Sequence, residues 1–132
     1  MNTSKYTGYT LIAIAIIHSS LGLVLGWPIL EAMHNDGWLA STMVNGKLDM
    51  TREAIVWFLL SGYFWILLGC LMNTLIKNGI DIPRYLGWNF LAMAGVMVVI
   101  MPASGAYLFI VLSLMILYSK SNKESHQPIS QA

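Results

Sequence analysis

One histidine stands where an ionisable side chain is expensive. His18 falls in the middle of the apolar stretch from Tyr6 to Trp27, and in hydrocarbon such a group needs a partner or a task. Helical spacing sets Ile14, His18, Gly22 and Gly26 on one face. The imidazole therefore shares its stripe with a Gly-x-x-x-Gly close-packing motif, which predicts that it faces another helix. Three chemistries fit it there: a hydrogen bond that fixes helix packing, a polar contact inside a ligand pocket, or ligation of haem iron or another metal. Met93, Met97 and Met101 stand four apart and could offer a thioether to such a metal. Methionine is also a flexible filler of apolar gaps, so the stripe is read as packing.

Arg52-Glu53 is the second unusual place. Glu53 is one turn from Trp57, and a carboxylate so close to a helix start is favoured by the helix dipole. One reading is an anchor at a membrane surface; the other is a polar cluster with Glu31, His34 or Ser104 lining an outward-facing cavity. Glu31-x-x-His34 has the spacing of half a di-metal carboxylate motif, but the second copy is lacking and no metal site is assigned to it. No nucleophile triad, phosphate loop or acidic pair at catalytic spacing appears. The candidate ligand-binding residues are therefore His18, Arg52, Glu53, Trp57 and Ser104, with no catalytic residue and no cofactor named.

These residues must be positioned by long apolar segments. Of 132 residues, 57% are hydrophobic and 10% charged, against about 25% charged in a typical soluble domain. A helix needs roughly 20 apolar residues to cross about 30 Å of hydrocarbon. Four segments are expected to do so, at about 6–27, 52–77, 83–101 and 104–119. Tyr6, Tyr9 and Trp27 are interfacial rings for the first, which Pro28 is expected to close. Asp49-Met50-Thr51 can cap the second and Asn78-Gly79 stop it. Pro83 suits the first turn of the third, and Pro102 interrupts it. A retained first helix is preferred to a cleaved leader.

The expected fold is all-α: a four-transmembrane-helix bundle, up-down because the later links are short, in one membrane domain. Its long connection, Pro28 to Thr51, begins with a turn or two of interfacial helix at Ile29–His34, and Asn35-Asp36-Gly37 turns the chain. The third span, about 25 Å long at 1.5 Å per residue, leaves Met101–Gly105 a recessed tip that the long connection could cover. Lys120–Ala132 is a polar tail. Lys5, Lys77, Arg84, Lys120 and Lys123 fall on one side and Lys47 and Arg52 on the other, so both termini are expected to be cytoplasmic. Cys70 is alone, which rules out a disulfide within the chain. A net charge of +1 supplies no basic surface for nucleic acid.

Several strings together resemble a family of small bacterial membrane proteins of unknown function. They are His18 followed by Gly22, Arg52-Glu53-Ala54-Ile55-Val56-Trp57-Phe58, Ile82-Pro83-Arg84-Tyr85-Leu86-Gly87-Trp88, and Met101-Pro102-Ala103-Ser104-Gly105. The resemblance runs from the first span to the fourth and implies a four-helix architecture in a bacterial inner membrane; it supplies no activity. The function expected first is binding of a hydrophobic or lipid-like ligand, or of a partner membrane protein, with membrane lipids and a homo-oligomer as further partners. A small homo-oligomeric transporter is the alternative, although the first span lacks the carboxylate that the small multidrug exporters use there. A haem or redox protein built on His18 is the second alternative.

Overall fold

The punctuation of the sequence fixes most helix ends. The computed structural model describes residues 3–119. A 3-10 turn, Thr3–Tyr6, leads into α1 (Thr7–Leu25), and α2 (Trp27–Asn35) follows almost at once. A small antiparallel hairpin, β1 (Met43–Val44) with β2 (Lys47–Leu48), precedes α3 (Met50–Lys77), α4 (Arg84–Ile100) and α5 (Tyr107–Leu117). The fold is helical, with five α-helices among the described residues. Two of them, α1 and α3, are long and apolar enough to cross a membrane; α4 and α5 are apolar but shorter. Only 28% of the apolar window of α1 and 22% of that of α3 is buried inside the protein.

The ends follow local chemistry. Asp49 Oδ1 accepts the backbone N–H groups of Thr51 and Arg52 at 2.9 and 3.2 Å, satisfying two of the free donors that open α3. At the other end Gly79 takes φ +73°, and the N–H groups of Gly79 and Ile80 return to the carbonyls of Ile76 and Leu75. That is a Schellman stop, available because glycine carries no side chain to clash. Pro28 does not end the helical chain as expected. It sits in the first turn of α2, where a missing N–H is harmless, and the break falls two residues earlier, at Gly26. The last expected span, 104–119, is a shorter helix, α5, because Ser104 to Ala106 are spent on the turn that follows Pro102. The expected polar tail lies outside the described residues.

The chain divides into two compact units, one of Leu11–Leu68 and one of Met1–Thr10 with Gly69–Ala132. In the second, α4 and α5 pair as a hairpin, with Phe90 and Phe109 ring to ring at 5.7 Å. Gly87 lets them approach: a methyl there would meet Leu117 at 2.9 Å. Thr10 Oγ1 reaches Met115 Sδ at 3.7 Å, tying the start of α1 to α5. Ser104 is partly buried in the turn, its Oγ accepting the N–H of Ala106 at 3.4 Å.

In the Leu11–Leu68 unit the glycine stripe of α1 packs on α3. A methyl at Gly22 would lie 2.7 Å from the ring of Phe58, and one at Gly26 would collide with Ile55. Leu30, Met33 and Ile55 form a buried cluster, with Ile29 and Leu59 against it. From Gly26 to Asp36 the chain advances ten residues, while its partners on α3 shift only from Ile55 to Arg52. At 1.5 Å per residue that is about 15 Å against about 4.5 Å, so α2 runs across α3 and not along it.

Candidate functional site

His18 is held by α3 from three sides. Its Nε2 lies 2.9 Å from the carbonyl oxygen of Phe58 and 3.2 Å from Ser61 Oγ. Its ring stacks on that of Phe58 with centroids 3.7 Å apart, and Trp65 leans in at 4.5 Å. A carbonyl oxygen can only accept, so Nε2 carries the proton in that bond, and in the neutral ring Nδ1 is the nitrogen left for another partner. Three sites on α3 thus anchor His18, and of the three chemistries its position allowed, the hydrogen bond to a neighbouring helix is the one these contacts make.

Arg52 acts as a clamp. Its Nη1 donates both to Asp36 Oδ2 and to the backbone oxygen of Ser41, each at 2.6 Å, and its Nε lies 3.8 Å from Asp49 Oδ2. The Arg52 side chain is 13% exposed. Asp36 and Ser41 flank a turn in which Gly37, Trp38 and Ala40 all have positive φ, at 84°, 64° and 53°. Left-handed backbone is unfavourable for Trp and Ala, so this turn persists because its surroundings hold it. Within it the Trp38 indole N–H donates to His34 Nδ1 at 2.9 Å, and Leu39 stands 92% exposed. Glu53 and Trp57 pair as their spacing suggested, the indole N–H donating to Glu53 Oε2 at 3.1 Å.

Beside these polar groups runs a groove of about 290 Å³, lined almost wholly by apolar atoms. Leu21, Gly22 and Leu25 of α1, Gly26, Ile29 of α2, and Thr51, Ala54, Ile55 and Phe58 of α3 line it. Its origin is the glycine stripe. Where Gly22 and Gly26 carry no side chain, α1 and α3 close on each other and leave a trough along the seam. None of the five residues singled out from sequence is among its lining. His18 backs it through Phe58, whereas Arg52, Glu53 and Trp57 belong to the same first turns of α3 as Thr51, Ala54 and Phe58. Ser104 belongs to the other unit. Sequence reasoning looked for polar side chains and so passed over a lining of leucine, isoleucine and glycine; the Gly22–Gly26 stripe was the available signal.

The remaining candidates have ordinary surroundings. Met93, Met97 and Met101 are all exposed, and His34 is engaged by Trp38 while Glu31 is exposed. Among the described residues no cluster of three or more His, Cys, Asp or Glu is arranged to hold a metal ion.

A family model, that of a family of unknown function (DUF6463), matches residues 2–123. The chain belongs to that family. No curated protein and no solved structure matches it. The family span takes in the groove, the Arg52 clamp and the His18 contacts alike, and it attaches no chemistry to any of them.

Proposed function

We propose that this protein is a small multi-pass membrane protein that holds the apolar part of a hydrophobic or lipid-like ligand in the groove between α1, α2 and α3. The observation that carries the reading is the groove itself, an apolar trough set along two helices each long enough to cross a bilayer. Ligand sites are typically concave and mostly apolar with few polar groups, and Thr51 at one end is the polar group here. The alkyl part lies along the seam, His18 braces Phe58 behind the wall, and Arg52, Glu53 and Trp57 shape the outer end.

In this reading α4 and α5 complete four spans, both termini lie in the cytoplasm, and the host is a bacterial inner membrane. The charge distribution supports that orientation, with five Lys and Arg on the terminal side against two on the other. Partner membrane proteins or a second copy of the chain would meet the outward apolar faces of the helices.

The test fills the groove. Ala54 is exposed and lines it, so Ala54→Trp adds bulk without disturbing the core. Mass spectrometry of protein purified gently from membranes should find a co-purifying lipid or hydrophobic molecule in the wild type and little of it in Ala54→Trp. Equal retention in the two would remove the groove as the binding site.

A further inference from the structure

The charged groups near the Thr51 end of the groove bear on the head of the ligand, an inference that rests on the groove being the ligand site, as proposed above.

A helix N-terminus beside a pocket ordinarily welcomes an anion, through free amide donors and the helix dipole. Here that opportunity is spent. Thr51 lines the groove at the first turn of α3, yet its amide and that of Arg52 already point to Asp49 Oδ1 at 2.9 and 3.2 Å. The nearest guanidinium is spent as well. Arg52 is tied to Asp36, Ser41 and Asp49 and mostly buried, so an anionic head would have to break the clamp to reach it. Across Leu11–Leu68 the carboxylates Glu31, Asp36, Asp49 and Glu53 stand against Lys47 and Arg52 alone. Asp36 and Asp49 share the one arginine, which leaves Glu31 exposed and Glu53 bound only to an indole N–H. The Thr51 hydroxyl makes no hydrogen bond among the described residues, so it is open to a ligand's polar group.

We infer that the groove takes single-chain amphiphiles with an ammonium head in preference to those with an anionic head. The alkyl chain runs from the Thr51 end towards Phe58, about 10 Å along α3 at 1.5 Å per residue. The head sits at the Thr51 end, in the field of Glu53, Asp49 and Glu31. Apolar contact supplies the affinity and the carboxylates supply the sign.

The experiment uses two probes of equal chain length, dodecyltrimethylammonium and dodecyl sulfate, each at trace concentration. Equilibrium dialysis against the full-length protein in phosphatidylcholine nanodiscs, with binding to empty nanodiscs subtracted, reads the preference. The ammonium probe should be held tighter by about fivefold at low salt, the size expected of exposed charge pairs. The gap should shrink as salt is raised and in the double variant Glu31→Gln, Glu53→Gln. Equal binding of the two probes, or tighter binding of the sulfate, would overturn the charge selection while leaving the groove in place. Binding of both probes undiminished in Ala54→Trp would instead overturn the groove reading itself.

Discussion

The imidazole of His18 lies face to face with the ring of Phe58 and shares a hydrogen bond with that same residue's carbonyl oxygen. One residue of α3 is thus gripped at both its side chain and its backbone, and it is a residue of the groove wall. His18→Leu should cost about 1 kcal/mol, because Ser61 Oγ still donates to the Phe58 oxygen at 2.7 Å and spares it from isolation. His18→Gln keeps a donor and should recover part of the loss. Unfolding in detergent measures this, and retention of the co-purifying ligand should fall in the leucine variant as Phe58 loosens. Unchanged stability and retention would show that the stacking does no structural duty.

Gly22→Leu places a large side chain where the ring of Phe58 leaves 2.7 Å for a methyl. The helices must separate or Phe58 must leave its rotamer, at a cost of about 1–3 kcal/mol. A lowered midpoint of thermal unfolding is the expected result; an unchanged one would mean that α1 and α3 do not meet through this stripe.

Arg52→Ala releases the two ends of the turn that holds Trp38 and Leu39. Asp36 is half exposed and can be rehydrated, so the loss is on the order of 1 kcal/mol, less than for a fully buried pair. Chymotrypsin should then cut after Trp38 or Leu39 roughly fivefold faster, as the open form becomes more populated. Equal cleavage rates would show that the backbone bonds of the turn suffice without the guanidinium.

The proposed orientation is read by labelling. Ser41 lies in the connection proposed to face outward but is buried, so a cysteine there would be a poor reporter. Leu39, 92% exposed, is the better position. In intact cells Leu39→Cys should react with an impermeant maleimide, and Ser125→Cys, outside the described residues, should be protected. The reverse pattern would invert the topology.

What the sequence revealed and what it hid follow a physical division. Local chemistry was legible: Asp49 caps, Gly79 stops, Gly37 turns and the Gly22–Gly26 stripe packs, each set by a residue and its immediate neighbours. Pro28 was misjudged because proline both ends and begins helices, and only the break at Gly26 decides which. Asn45-Gly46, with φ of 52° and 71°, closes the small hairpin; that dipeptide is a strong turn signal and was passed over among the polar residues of the connection. Arg52 to Asp36 could not be read, since their meeting depends on α2 crossing α3. Nothing in the residue types of Trp38 and Ala40 announces left-handed backbone. The groove was hidden for a different reason, being a shape set by how closely α1 and α3 approach at Gly22 and Gly26.

The short fifth helix has a consequence for the lipid under the proposed four-span reading. Tyr107 and Tyr118 are exposed at its two ends, eleven residue steps and about 16 Å apart at 1.5 Å per residue. With α5 as a span, aromatic rings that seek the headgroup layers stand much closer than the roughly 30 Å of an ordinary hydrocarbon core. The bilayer must then pinch around the α4–α5 hairpin, at a cost of fractions of a kcal/mol per ångström. On the proposed four-span reading, lipids with short or disordered tails would relieve that pinch, and the protein would gather thin membrane about itself and sort away from thick.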